Sequence, residues 1–193
     1  MHTSQKWARL NEVEARLIID SPALPARAPH PAVIAVTTAA RGGGLWLALS
    51  ALEALRPSGD RRAARQTALS VLTALAASHA VKRLAPPRSR PEPPGGHTRR
   101  ALPEQPDSSS FPSAHAATAS AFATAVIACY GGRGILLLPL PLVAIYSRVR
   151  ARVHWPTDAI VGTAIGIAAA TTLDRGMRPV RPAKISRAIS APS

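Results

Sequence analysis

Aromatic side chains are scarce in this chain: 3 Trp, 2 Tyr and 2 Phe among 193 residues. That excludes a surface on which unpaired bases stack in succession, since each base needs its own ring. Cysteine is reduced to Cys129, so no intramolecular disulfide can form, and its apolar setting reads as a small core or lipid-facing position. Negative charge is short too, with 10 Asp and Glu against 24 Lys and Arg and a formal net charge of +14. No charged stretch leads into a short apolar core with a cleavage site, so no removable signal peptide is expected.

What the chain does have is 47% hydrophobic residues, much of it alanine, set in runs that are separated from the charges. Soluble domains seldom segregate the two, whereas a bilayer demands it. Residues 5–20 read as an amphipathic helix, with Trp7, Leu10, Val13 and Leu17 at helical spacing, too polar to span and suited to the membrane surface or to packing on a bundle. Pro22, Pro25, Pro29 and Pro31 then break the chain. Five apolar segments follow, at about 32–55, 64–82, 113–130, 135–146 and 159–173. Each is at or slightly below the ~20 residues that cross ~30 Å of hydrocarbon. Arg41 and Gly42 to Gly44 interrupt the first, making it a short or broken span. The expected organisation is an interfacial segment at 1–30, a membrane-embedded all-α bundle of about five spans at 31–174, and a basic, disordered tail at 175–193.

Between the second and third spans, residues 84–112 carry Pro86, Pro87, Pro91, Pro93, Pro94, Pro103 and Pro106, which no regular helix or central strand tolerates. Loops of that length without secondary structure are usually functional or disordered. Lys82, Arg83, Arg88 and Arg90 stand at its start, and Phe111-Pro112-Ser113-Ala114-His115 closes it. Ser113 can cap the helix that begins there, whose first-turn N–H groups and dipole suit a phosphate. Ala114 lets an oxyanion approach the backbone, and His115 is placed to donate a proton to a leaving oxygen.

The most informative stretch is Ser147 to Asp158. A histidine attacks phosphorus only as neutral imidazole, so one ring nitrogen must be free while the other donates to an acceptor that fixes the tautomer. Asp158 can be that acceptor for His154, and Arg148 supplies a planar charged fork for phosphoryl oxygens. Tracing the spans back and forth brings Lys82 to Arg90, His115, Arg148 and His154 to one end of the bundle. His79, without a motif partner, reads as a packed or pore-facing residue of the second span, and His97 as solvated loop. Arg150 and Arg152 read as headgroup anchors.

These residues resemble the type 2 phosphatidic acid phosphatase superfamily, whose signature runs Lys-x6-Arg-Pro, Pro-Ser-Gly-His, Ser-Arg-x5-His-x3-Asp. Ser147, Arg148, His154 and Asp158 match the third element in full. Pro112-Ser113-Ala114-His115 matches the second with alanine for glycine. In the first, Arg90-Pro91 is present and six intervening residues lead back to Arg83, with Lys82 one residue further away. The spacing favours Arg83, and an insertion within 85–89 would give the role to Lys82. The match covers about 82–166. It implies a phosphatase/haloperoxidase-type helical core and metal-independent hydrolysis, with His154 as nucleophile, Asp158 orienting it and His115 as acid. Lys82 or Arg83, Arg90, Ser113, Ala114 and Arg148 would hold the phosphate. No metal and no cofactor is expected.

The expected function is therefore a lipid phosphate phosphatase acting on a phosphomonoester or diphosphate of a polyprenyl-linked lipid or glycerolipid through a phosphohistidine. Its partners are the bilayer and the lipid substrate. A non-catalytic scaffold of the same fold would have lost a signature histidine or Asp158, and neither is lost. A nucleic-acid binder using the basic loop and tail would have only non-specific phosphate contacts. Arg56, Arg61, Arg62, Arg65, Arg133 and the tail lie opposite the site, so the positive-inside rule puts the site on the outer face, with Lys6, Arg9, Arg16 and Arg27 pulling the other way. The Ala- and Arg-rich composition tilts the reading towards the cytoplasmic membrane of a bacterium and its envelope lipids.

Overall fold

The computed structural model describes residues 4–16, 30–91 and 107–177. His97, the centre of the proline-rich loop and the expected basic tail beyond Met177 fall outside them. Among the described residues every regular element is helical: α1 (Ser4–Glu14), α2 (Pro31–Ala39), a 3-10 turn (Arg41–Gly43), α3 (Gly44–Leu55), α4 (Arg61–Leu84), α5 (Ala114–Tyr130), a second 3-10 segment (Gly131–Leu137), α6 (Pro139–Arg150) and α7 (Pro156–Met177). The all-α expectation holds.

The boundaries follow from local chemistry. Asp60 accepts from the N–H groups of Arg62 and Ala63 at 2.9 and 3.0 Å and so starts α4, as an N-cap carboxylate does. Ser113 caps α5 through Ala116 N–H at 3.3 Å. Between α2 and α3 the chain bends by 60°, at Gly42 and Gly43 with φ of 59° and 82°, a left-handed conformation that glycine adopts without a Cβ clash.

Helices α4, α5 and α7 pack against one another in all three pairings, with α3 on α4, α6 on α5 and α2 on α6. The shortage of large side chains is what allows this closeness. A Cβ at Gly162 would stand 2.3 Å from Ser113 O, and one at Gly166 2.1 Å from Ser120 Oγ and 2.2 Å from Ala117 O, so α7 meets α5 backbone to backbone. Ser120 Oγ donates across the seam to Thr163 O at 3.1 Å. Against α3, α4 and α6, α5 instead packs through larger side chains, with Trp46 stacked on Phe122, centroids 5.1 Å apart, and Val71, Ala119, Val126 and Ala144 around them.

Arg62 donates to Met177 O at 2.8 Å and Gln66 to Asp174 at 3.1 Å, which ties the start of α4 to the end of α7. The opposite end of the bundle therefore gathers the C-termini of α4 and α6 and the N-termini of α5 and α7, where the motif residues lie.

Five spans were expected. Two helical stretches among the described residues, Ala114–Leu137 and Pro156–Met177, are long and apolar enough to cross a membrane, and the bent pair Pro31–Ala39 with Arg41–Leu55 makes a third if it counts as one. The other two expected spans do not reach that length and hydropathy, for different reasons. α4 has 24 residues but carries Arg61, Arg62, Arg65, Lys82 and Arg83 at its ends, which leaves a shorter apolar stretch. α6 has 12 residues, about 18 Å of helix. His79, expected to be packed or pore-facing, is exposed on α4.

Candidate active site

His154 sits in the short connection between α6 and α7. Its backbone is pinned by Arg148 O, which accepts from Val153 N at 3.0 Å and His154 N at 3.2 Å. The ring is 4% exposed, and Nδ1 lies 2.8 Å from Ser110 O. A carbonyl oxygen can only accept, so Nδ1 carries the proton and Nε2 keeps the lone pair. Burial pushes the imidazole down to about 4, with the Arg90 and Arg148 charges adding to that and Asp158 opposing it. It is neutral at physiological pH.

The tautomer is thus fixed by a carbonyl rather than by Asp158, as the sequence suggested. Asp158 Oδ2 is 3.7 Å from Nδ1, beyond hydrogen-bond distance. Its oxygens are taken elsewhere: Oδ2 accepts from Trp155 N at 2.9 Å and Oδ1 from Arg88 Nη1 at 2.7 Å. Asp158 closes the first turn of α7 and sets its charge beside the imidazole without holding the proton directly. Ser110 went unnoticed because a main-chain acceptor leaves no trace in residue type.

At the start of α5, Ser113 is fully buried with its hydroxyl committed to the cap, and its N–H donates to Asp158 O at 3.0 Å. That bond joins the second motif to the third. Ala114 follows with no side chain beyond Cβ, and His115 lies on the same turn. The His115 Nε2 is buried with no hydrogen-bond partner among the described residues, while the ring rests against the Thr37 main chain and within the fields of Arg148, His154 and Arg41. An imidazole nitrogen left buried and unsatisfied is costly unless a ligand completes it.

Arg148 is 2% exposed and acts electrostatically on both histidines. Arg90 donates to Val153 O at 2.7 Å and Ser108 O at 3.0 Å, so it braces the residue before His154 while bringing its charge to the ring. Of the adjacent pair on α4, Lys82 is half-buried and within the fields of Arg90 and Asp158, whereas Arg83 is exposed. The spacing argument favoured Arg83. Neighbouring positions on a helix differ by about 100°, so only one of the two can face the cluster, and the irregular stretch 85–90 absorbs the extra residue.

Arg88 was read only as part of a basic cluster. It is 2% exposed, with its guanidinium on Asn11 Oδ1 at 2.8 Å, Thr157 Oγ1 at 2.6 Å, Asp158, and Glu14. The rings of Trp7 and Trp155 lie 4.8 and 5.2 Å from it. α1 therefore docks on the site through Trp7 of the expected stripe, but Val13 of that stripe is 50% exposed while Glu14 is buried. A buried arginine requires carboxylate partners, and that requirement turns the helix.

Lys82, Arg90, Arg148, the α5 N-terminus and two imidazoles thus surround one point at the end of the bundle. Among the described residues no three of His, Cys, Asp and Glu gather as a metal cage would need. The arrangement can hold a tetrahedral anion between a nucleophilic nitrogen and an acid.

The sequence profile of the PAP2 superfamily matches residues 63–179. The chain is 33% identical over 133 residues to the decaprenylphosphoryl-5-phosphoribose phosphatase of Mycobacterium tuberculosis, in strains CDC 1551 / Oshkosh and H37Rv, covering 67% of this chain and 70% of that protein. The crystal structure of Aquifex aeolicus LpxE superposes with a TM-score of 0.58 at 20% identity, over 87% of this chain and 94% of that one, a likeness of fold.

Proposed function

Because the chain belongs to the PAP2 superfamily, and with it to the phosphatases, we propose that it hydrolyses a membrane lipid phosphate without a metal, through a phosphohistidine on His154. The observation that carries this reading is the Nδ1 contact to Ser110 O, because it leaves the Nε2 lone pair for phosphorus. The lone pair forms the N–P bond as the P–O bond to the leaving group breaks, and His115, whose buried Nε2 takes up a proton when the anionic phosphate settles beside it, passes that proton to the departing oxygen and is left neutral. Lys82, Arg90, Arg148 and the N–H of Ala114 hold the phosphoryl oxygens, where positive charge and donors are worth most in the transition state, while Ser113 fixes that turn through its cap and its N–H on Asp158 O. Water then attacks the phosphohistidine with His115 as base, releasing phosphate. Asp158 stabilises the imidazole as it becomes positive. Guanidinium and ammonium groups supply the charge that a metal provides in other phosphatases.

The substrate class we favour is a polyprenyl-linked phosphate, following the named activity of the mycobacterial relative. A lipid whose tail stays in the bilayer suits a site at the end of apolar helices. We assign the protein to a bacterial cytoplasmic membrane with the site on the outer face, since Arg56, Arg61, Arg62, Arg65 and Arg133 lie at the opposite end. The test is phosphate release by detergent-extracted protein from a panel of polyprenyl phosphates, polyprenyl diphosphates, prenyl-linked sugar phosphates and phosphatidic acid in excess chelator. Turnover of the polyprenyl substrates is expected. Activity lost with chelation and restored by magnesium or zinc would overturn the mechanism.

A further inference from the structure

Asp158 shares the guanidinium that is hydrogen-bonded to it. Arg88 donates to Asp158 Oδ1 through Nη1 and to Glu14 of α1 through Nη2, all three side chains being buried. Glu14 is itself held in register: its Oε1 accepts from Thr157 N at 2.7 Å and its Oε2 from Thr157 Oγ1 at 3.0 Å. One guanidinium between two carboxylates leaves the group with one negative charge in excess. Buried charge of that kind is unfavourable unless positive charge stands or develops beside it.

The place where it develops is 3.7 Å from Asp158 Oδ2. In the mechanism proposed above the His154 Nε2 lone pair becomes the N–P bond while Nδ1 keeps its proton on Ser110 O. The ring is then a cation until water cleaves the N–P bond and restores the neutral imidazole. Arg90 and Arg148 press positive charge on the same ring, which opposes that cation, so negative charge on the Asp158 side is needed to offset them. Had Arg88 faced Asp158 alone, the two would have cancelled.

We propose that Glu14, on the N-terminal helix, is a positioning residue of the reaction: by sharing Arg88 with Asp158 it leaves negative charge available to the phosphorylated His154 ring. This rests on the phosphohistidine reading and extends the working site to α1, outside all three motifs. Trp7 supports the same arrangement, its ring tilted against Phe111 with centroids 5.1 Å apart, covering Arg88, and donating to Pro86 O at 3.3 Å.

The test compares Glu14→Gln and Glu14→Asp in the full-length, detergent-extracted protein, measuring kcat, KM and thermal midpoint on one polyprenyl phosphate. Gln keeps the shape and loses the charge; Asp keeps the charge and shortens the arm. A charge role lowers kcat in the Gln variant by roughly tenfold, the order expected for a unit charge several ångströms away inside a protein. KM should stay within about twofold, and Asp should recover most of the loss. If Asp is the worse of the two, or if KM rises while kcat holds, Glu14 merely packs α1 and the proposal fails. Should one variant not fold, the kcat of the other, read against wild type, decides: Gln near wild type or Asp far below it overturns the idea. His154→Ala is run beside them. Its retained turnover would overturn the phosphohistidine reading itself, whereas a dead His154→Ala with a fully active Glu14→Gln would overturn only this inference.

Discussion

At the level of the residue, reactivity depends on what an imidazole nitrogen is denied. His154 has its Nδ1 proton engaged by Ser110 O and its ring withdrawn from water, so protonation is disfavoured and the Nε2 lone pair stays available, as the proposed nucleophilic role requires. His154→Ala should abolish turnover of every substrate. His115→Ala should cost an alkyl or prenyl phosphate about 10²-fold or more and an aryl phosphate with a good leaving group much less, because acid assistance matters only when the departing oxygen is basic. Equal losses on both substrates would remove His115 from the acid role. Stability should also carry the His154 signature. Its folded value of about 4 lies below the ordinary 6.5, so the unfolded chain takes up a proton that the folded one refuses as pH falls between them. The resulting loss is up to about 1.4 kcal/mol per pH unit across that window and absent above it. Thermal midpoints of wild type should fall more steeply from pH 6.5 to pH 4.5 than those of His154→Gln. Parallel curves would mean that the folded ring takes up its proton as readily as the unfolded one.

At the level of the element, the α5–α7 seam governs whether the motifs meet, since Ser113 N–H to Asp158 O lies at its end. Gly166→Ala should destabilise by about 1–3 kcal/mol, as overpacking does, because the added carbon meets the backbone of α5. Gly176→Ala, in the same helix with nothing within 4 Å, should be neutral or stabilising by roughly 0.5–1 kcal/mol from helix propensity alone. Thermal unfolding of both variants checks the contrast, and equal effects would deny the close approach. Helices of this kind were legible in the sequence: the caps Asp60 and Ser113, the prolines and glycines at boundaries, and the apolar runs mark them. The three motifs were legible because residue type and spacing carry their chemistry. Ser110 was not, since its contribution is a carbonyl, nor was the turning of Lys82 rather than Arg83 towards the cluster, since an irregular stretch sets the register. The buried face of α1 is legible only in part for a related cause: periodicity marks Trp7, but an ion pair with Arg88 adds Asn11 and Glu14 and leaves Val13 exposed.

At the level of the whole molecule, the paths of α4, α5, α6 and α7 fix which charges share a side. α1 docks through Arg88 at the end that holds His154, while Arg133 follows α5 at the other end, beside neither histidine. In the orientation proposed above, Arg133 would face the cytoplasm and α1 would face outward with the site, which would put Lys6, Arg9 and Arg16 on the outer face, where such charge can draw in anionic phosphate substrates. Both Arg9 and Arg133 are exposed, so each accepts a reporter without disturbing the core. In a Cys129→Ser background, Arg9→Cys should react with a membrane-impermeant thiol reagent on intact cells or right-side-out vesicles, and Arg133→Cys only after permeabilisation. Reaction of both from one side would break the helical path itself. Reaction of Arg133→Cys alone would keep that path and reverse the orientation, turning the phosphatase towards lipids of the inner leaflet.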